Sequence, residues 1–324
     1  MFDVIALGSA VIDVFLNTEA GLFGTHKNGS ITVPFGSKVI IKEIRFNTGG
    51  GGTNTAVSFA RMGLKTAFIG NLSGNKQADF ILNELKLERV DTSMVIKRGF
   101  MSGYSAVLDA RGHDRTILAY KGSNNDIKVK DIDFKKLKQT KWVYMTSMMG
   151  DAYKTSEKVA EFCGKNKIKL MFNPSSYLAK QGAVALKKLL KNCSILVYNK
   201  EEAAEMVGEG SISSLLEKTK KTGPEIVIIT DGEKGSHTFD GKNYYFMKGS
   251  DKPVIETTGA GDSFGSGFLA AYIRTKGDIA ESLKIAQVNA ASVITHHGAK
   301  NNLLTWGEAI KKAKKIKVEV KSLK

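Results

Sequence analysis

Cysteine, proline and acid are the scarce components of this chain. Its 324 residues include only two cysteines, Cys163 and Cys193, far apart and outside any CxxC pair. That excludes a disulfide framework and a cysteine zinc site, and it suits a reducing cytoplasm. With four prolines there is no proline-rich linker, and no low-complexity segment or internal repeat divides the chain. No apolar run approaches the roughly 20 residues of a membrane span. The N-terminal stretch MFDVIALGSAVID carries Asp3 and Asp13 and no basic leader, so a strand rather than a signal peptide is expected there. Acidic residues number 32 against 48 Lys and Arg, a formal charge of +16. Such an excess fits a polyanion binder. However, no aromatic interleaving, zinc spacing or RNA-binding signature accompanies it. The lysines spread through amphipathic segments, with one dense patch in the tail KKAKKIKVEVKSLK. A solvated surface without a dedicated nucleic-acid role is the expectation.

Short continuous apolar runs are present in number: residues 3–8, 66–70, 142–146, 168–173, 194–199 and 225–230. Continuous rather than alternating, they read as parallel strands covered on both faces. Helical stretches lie between them: Thr53–Met62, Ala78–Leu87, Thr155–Cys163, Ala183–Leu190 and Glu201–Val207. Two long helices are expected over 260–296 and a terminal one over 306–317. The alternation predicts an α/β fold, an open parallel sheet with helices on both faces. Residues 14–47 and 93–121 break the rhythm and read as short antiparallel strands. They are expected to pair into a small β-sheet lid inserted in a single domain spanning 1–324.

The 33 glycines cluster, most densely in ETTGAGDSFGSG, residues 256–267. This stretch lacks the lysine of a phosphate-binding P-loop. Phe264 stands where a dinucleotide fingerprint needs its third glycine, and the stretch lies late in the chain. The apolar spacing of Phe264, Phe268, Leu269, Tyr272 and Ile273 starts a helix just after Gly259, Ala260 and Gly261. Backbone N–H groups at such a start form an anion site. Asp262 beside it suits a general base that deprotonates a hydroxyl while the site holds a transferring phosphoryl group. It equally suits an acidic residue stabilised by the helix dipole.

Three further stretches carry polar residues in telling places. NTGGGGTNTAVSFARMG, 47–63, lets backbone approach a ligand at its glycines, with Asn54 to bond hydroxyls; a flexible loop before a helix is the plainer reading. In LGSAVID, Asp13 stands among Val11, Ile12 and Val14, where a polyol would supply donors; a turn cap is the alternative. YNKEEAAEMVG, 198–208, puts Asn199 at a strand end and Glu202 in the next helical turn. They suit water around Mg²⁺ or, equally, a capping box.

Together these stretches resemble the PfkB or ribokinase-like carbohydrate kinases. GGGGTNTAVSFARMG is similar to their first signature and ETTGAGDSFGSGF to their second. GSAVID, YNKEEAAEMVG, TDGEKG (230–235) and NAASVITHHGA (289–299) follow in the same order, so the likeness covers roughly 3–305. The resemblance implies a ribokinase-like fold with a β lid, through which many members form homodimers. It implies an ATP- and Mg²⁺-dependent kinase acting on a sugar, with a nucleoside or phosphosugar as alternative acceptors. Asp262 would be the base, and Gly259, Ala260 and Gly261 the anion hole. Asp13, Gly49, Gly50 and Asn54 would contact the acceptor. Thr230, Gly232, Gly235 and Asn289 would form the nucleotide pocket beside Asn199, and Glu202 would bind Mg²⁺ through water. Glu256 and Thr258 stand where a monovalent cation such as K⁺ is held; the family's DTTGAGD form has Asp where this chain has Glu256. Val11 replaces an asparagine and Gly51 a lysine of ribokinases. Ser73 and Asn75 replace a glycine and an aspartate of the family's GxVGxDxxG pattern.

Overall fold

The computed structural model describes residues 1–18, 24–25, 31–32, 35–109 and 115–323. Strand Phe2–Leu7 lies between Thr66–Ile69 and Thr140–Thr146 and runs parallel to both. Lys169–Asn173, Ile195–Asn199 and Ile226–Thr230 extend the parallel sheet. Beyond them Ser236–Phe239, Asn243–Met247 and Glu319–Ser322 add an antiparallel edge, for nine strands in all. Successive side chains enter opposite cores, as the period of two requires. Ile5, Val143, Leu170 and Leu196 join one core; Val4, Tyr144, Met171 and Val197 join the other. That is why these runs are apolar throughout.

All six expected parallel strands form within a residue or two of their expected bounds. The single helix expected over 183–190 is instead two short ones, Gly182–Ala185 and Lys187–Lys191. The break falls at fully buried Leu186, where the chain bends to bury Leu186, Leu189 and Leu190 together. The terminal helix is shorter than expected, Trp306–Ala313, and the basic tail after it supplies the edge strand Glu319–Ser322.

A separate four-stranded sheet has the order Arg115–Tyr120, Gly103–Asp109, Val11–Thr18, Ile41–Gly49. It contains the regions that break the sequence rhythm, but it is not wholly antiparallel: Val11–Thr18 and Gly103–Asp109 run parallel. Ile96–Lys97 pairs with Asn71–Leu72 instead of joining it. Residues 19–23, 26–30, 33–34 and 110–114, which complete those two regions, lie outside the described residues. Asn124 fixes the entry to this sheet by accepting from Ala10 N–H at 2.8 Å and donating to Ala10 C=O at 2.9 Å.

Helices Ala260–Arg274 and Ile279–Val293 pack against each other on one face of the large sheet, with Gly51–Arg61 beside the first. Gly265 permits the close approach, since a Cβ there would collide with the Tyr144 hydroxyl. Ser266 Oγ donates to Ser58 Oγ at 2.7 Å, joining the two signature helices. Both begin at the end of the sheet where the parallel strands finish. Among the described residues no helix is long and apolar enough to cross a membrane.

Candidate active site

Neither signature helix is closed by a capping side chain. Gly50, with φ 97°, precedes Gly51–Arg61, and Gly259, with φ 78°, precedes Ala260–Arg274. Both angles favour glycine, and a Cβ on Gly259 would also stand 2.6 Å from the Ala299 carbonyl. The first helix spends its opening N–H groups inward, Gly52 and Thr53 donating to Ser9 C=O at 3.0 and 3.4 Å. The second keeps more of its own. Ala260 N–H donates to Thr257 C=O at 3.1 Å, whereas the N–H groups of Gly261 and Asp262 have no backbone acceptor among the described residues. Of Gly259, Ala260 and Gly261, the expected anion hole, only Ala260 thus spends its N–H on a backbone acceptor among the described residues. Gly261 is exposed, with open space where a side chain would project.

Asp262 stands in that first turn. Its carboxylate accepts a 2.8 Å hydrogen bond from Asn54 Nδ2. Burial raises its pKa, while the Asn54 bond and the positive Lys300 pull it back. A partly desolvated carboxylate of this kind takes a proton more readily than an ordinary aspartate. Asn54 is 5% exposed, and its Oδ1 has no hydrogen-bond partner among the described residues. A buried carbonyl oxygen without a donor is costly, and a ligand hydroxyl would satisfy it. Asp13, also buried, lies across Gly49, where any side chain would strike its carboxylate. Asp13, Gly49, Gly50, Asn54 and Asp262 are thereby drawn into one region from four elements.

On the other side of Gly261 is a cleft of about 290 Å³. Thr230, Gly232 and Gly235 line it together with Ala260 and Gly261, over an apolar floor that includes Val254, Phe264, Ala291 and Ile294. Asn289 corrects the sequence expectation, because it is fully buried away from this cleft. Its amide donates to Ser263 C=O at 2.8 Å and Ser58 Oγ at 3.2 Å, and accepts from Leu304 N–H at 3.0 Å. It is a strut behind the signature helices.

Asn199 is the partner of Thr230 in the sheet, which sets it beside the cleft. With Glu202 it forms a reciprocal capping box, Glu202 N–H to Asn199 Oδ1 at 2.7 Å and Asn199 N–H to Glu202 Oε2 at 3.0 Å. Burial raises the Glu202 pKa. Among the described residues no group of three His, Cys, Asp or Glu could gather a metal directly. One carboxylate acting through water is what Mg²⁺ on a nucleotide commonly uses, and Glu202 fits that role. Glu256 is 6% exposed; its Oε2 accepts from Gly298 N–H at 2.8 Å and lies 3.5 Å from His297 Nδ1.

Sequence reasoning missed Lys300. It is 5% exposed, bonded to Thr48 Oγ1, and paired with Glu84 Oε2 at 2.5 Å. Burial lowers its pKa, against the pull of Glu84, Asp13 and Glu88. The only signal in the sequence is its place directly after the HHGA stretch.

Comparison with known proteins identifies the family and the fold. Residues 1–306 match the model of the pfkB family carbohydrate kinases. An uncharacterized sugar kinase of Archaeoglobus fulgidus is 28% identical over 76% of this chain and 98% of its own. A ribokinase of Haemophilus influenzae is 25% identical over 86% of this chain and 93% of its own. The structure of an Arabidopsis thaliana ribokinase complexed with ribose and ATP shares the fold. Its TM-score is 0.80 at 21% identity, covering 97% of this chain and 99% of that one. The chain therefore belongs to the pfkB family of carbohydrate kinases, which are phosphotransferases.

Proposed function

We propose that the protein transfers the γ-phosphoryl group of ATP to the hydroxymethyl group of a sugar, with Asp262 as general base and Gly259, Ala260 and Gly261 as the anion hole. The observation that carries this reading is Asp262 itself, desolvated in the first turn of an uncapped helix and held by Asn54. The hydroxyl proton passes to the Asp262 carboxylate, and the oxygen attacks the γ-phosphorus as ADP leaves. Within that hole the amides of Gly259 and Gly261, joined by that of Asp262, face the charge on the transferring group.

The acceptor lies against Asp13, Gly49, Gly50 and Asn54, with Asn54 Oδ1 taking one of its hydroxyls. The triphosphate runs along Thr230, Gly232 and Gly235. Glu202, with Asn199 beside it, would hold Mg²⁺ through water, and the ion would supply charge neutralisation on the phosphates. A monovalent cation at Glu256 and Thr258 would share Glu256 with Gly298 and His297, so weak activation by K⁺ belongs to this reading. The four-stranded sheet acts as a lid of a single domain. Its exposed Ile44, Phe46, Leu118 and Tyr120 suit a homodimer face in a cytoplasmic enzyme.

A nucleoside acceptor is the second reading. Phe35 and Phe100 are 108% and 91% exposed, so a base could stack on them. A phosphorylation screen of free sugars, nucleosides and phosphosugars with ATP, run beside Asp262→Asn, tests both. Turnover confined to nucleosides supports the second reading, and turnover of none removes both.

A further inference from the structure

The segment His297–Lys300 is fastened at successive residues to both sides of the site. Gly298 N–H donates to Glu256 at 2.8 Å. Ala299 backs Gly259, with no room for a side chain between them. Lys300 turns the other way, its ammonium held by Thr48 Oγ1 and Glu84. Its carbonyl accepts from Arg61 Nη1 at 3.3 Å. Thr48 immediately precedes the glycine run, so four residues join the turn under the anion site to the strand that carries the acceptor glycines.

The charge is as telling as the connection. An ammonium 5% exposed is not needed for a structural tie. Replacing a buried ion pair with apolar groups is often neutral or stabilising. Arg61 and Glu88, each about one quarter exposed, already make a tie of the ordinary kind at 2.5 Å nearby. Lys300 instead contacts Glu84 and feels the charge of Glu88 at the end of the same helix and of Asp13 from the lid sheet, while its own charge acts on Asp262 of the signature helix. Arg61 is the other cation of the cluster.

We propose that Lys300 is a positioning residue for the phosphoryl transfer: held by Glu84 and Thr48, it fixes the turn behind Gly259 against the acceptor strand and presents a buried positive charge to Asp13 and Asp262. The inference rests on the reading of Asp262 as the base. It adds a specific role for a lysine outside both glycine signatures.

The test is the pH profile of kcat/KM for the acceptor in Lys300→Met, with ATP affinity by calorimetry and thermal unfolding alongside. Lys300 favours the ionised Asp262, so its loss keeps the base protonated to higher pH. The acid limb is expected to move upward. At neutral pH kcat/KM is expected to fall about tenfold or more, with ATP affinity changed less than about threefold. Where the single variant is too unstable to assay, K300M/E84Q, which also removes the carboxylate that Lys300 contacts, carries the same test with the same expected direction. An acid limb unmoved in a folded variant overturns the proposal, as does a loss confined to ATP affinity. Asp262→Asn separates the two levels: near-normal turnover there removes the base and this inference with it. A dead Asp262→Asn beside an unmoved limb removes the inference alone.

Discussion

Asn54 and Asp262 meet across 208 residues of chain, the Asn54 amide donating to the Asp262 carboxylate at 2.8 Å. One opens the first signature helix and the other opens the second. The bond therefore sets the two glycine-rich starts against each other, and it does so at the group assigned as base. The Asn54 donor favours the ionised form of Asp262, opposing the burial that raises its pKa.

Asn54→Ala removes that donor and the buried Oδ1 together. The expected result is a fall in kcat/KM for the acceptor of about tenfold to a hundredfold, the size of a lost hydrogen bond to a charged group. The acid limb of the pH profile moves upward, because the ionised base has lost a favourable partner. ATP affinity stays near its original value. Steady-state kinetics across pH with nucleotide titration check each part.

Gly265 tests the packing that places Asp262. A glycine-to-alanine change inside a helix ordinarily gains about 1 kcal/mol. Here the new Cβ meets the Tyr144 hydroxyl, which is buried and without a hydrogen-bond partner among the described residues, so a loss of about 1–3 kcal/mol is expected. Tyr144→Phe removes the obstructing atom. Chemical denaturation of both single variants and of G265A/Y144F is expected to show the double variant recovering most of the loss, the sign of direct coupling.

Much of the fold was legible because the physics that made it is local. Runs such as IVIIT at 226–230 are apolar throughout because both faces are covered, and a sequence window detects that. The starts at Gly50 and Gly259 were legible for the same reason, since their positive φ angles demand glycine. The edge strand Glu319–Ser322 was not, because its residues are exposed and only the neighbouring Asn243–Met247 makes it a strand. Its charge read as an open basic surface. Asn289 was misplaced because an asparagine serving backbone groups behind a helix looks no different in sequence from one facing a ligand. Lys300 was invisible for a stronger reason. A lysine is expected in water, and only the tertiary fold brings Glu84 and Thr48 from two other elements to hold it.

Glu202 separates capping from metal chemistry. Glu202→Gln keeps an acceptor for the Asn199 N–H while removing the charge, so stability is expected to change by less than about 1 kcal/mol. The Mg²⁺ concentration needed for half-maximal activity is expected to rise several-fold. Thermal unfolding and a Mg²⁺ titration of activity check this, and an unchanged Mg²⁺ requirement would assign Glu202 to the helix cap alone.

Asp262 as the group that takes the proton of the acceptor hydroxyl is tested by Asp262→Asn. The replacement is nearly isosteric and can still meet Asn54, so fold and ATP affinity are expected to persist. Turnover of the acceptor is expected to fall by a factor on the order of 10² to 10⁴, the usual worth of a positioned base. An Asp262→Asn enzyme that binds ATP and turns over its acceptor at a near-normal rate would contradict the account.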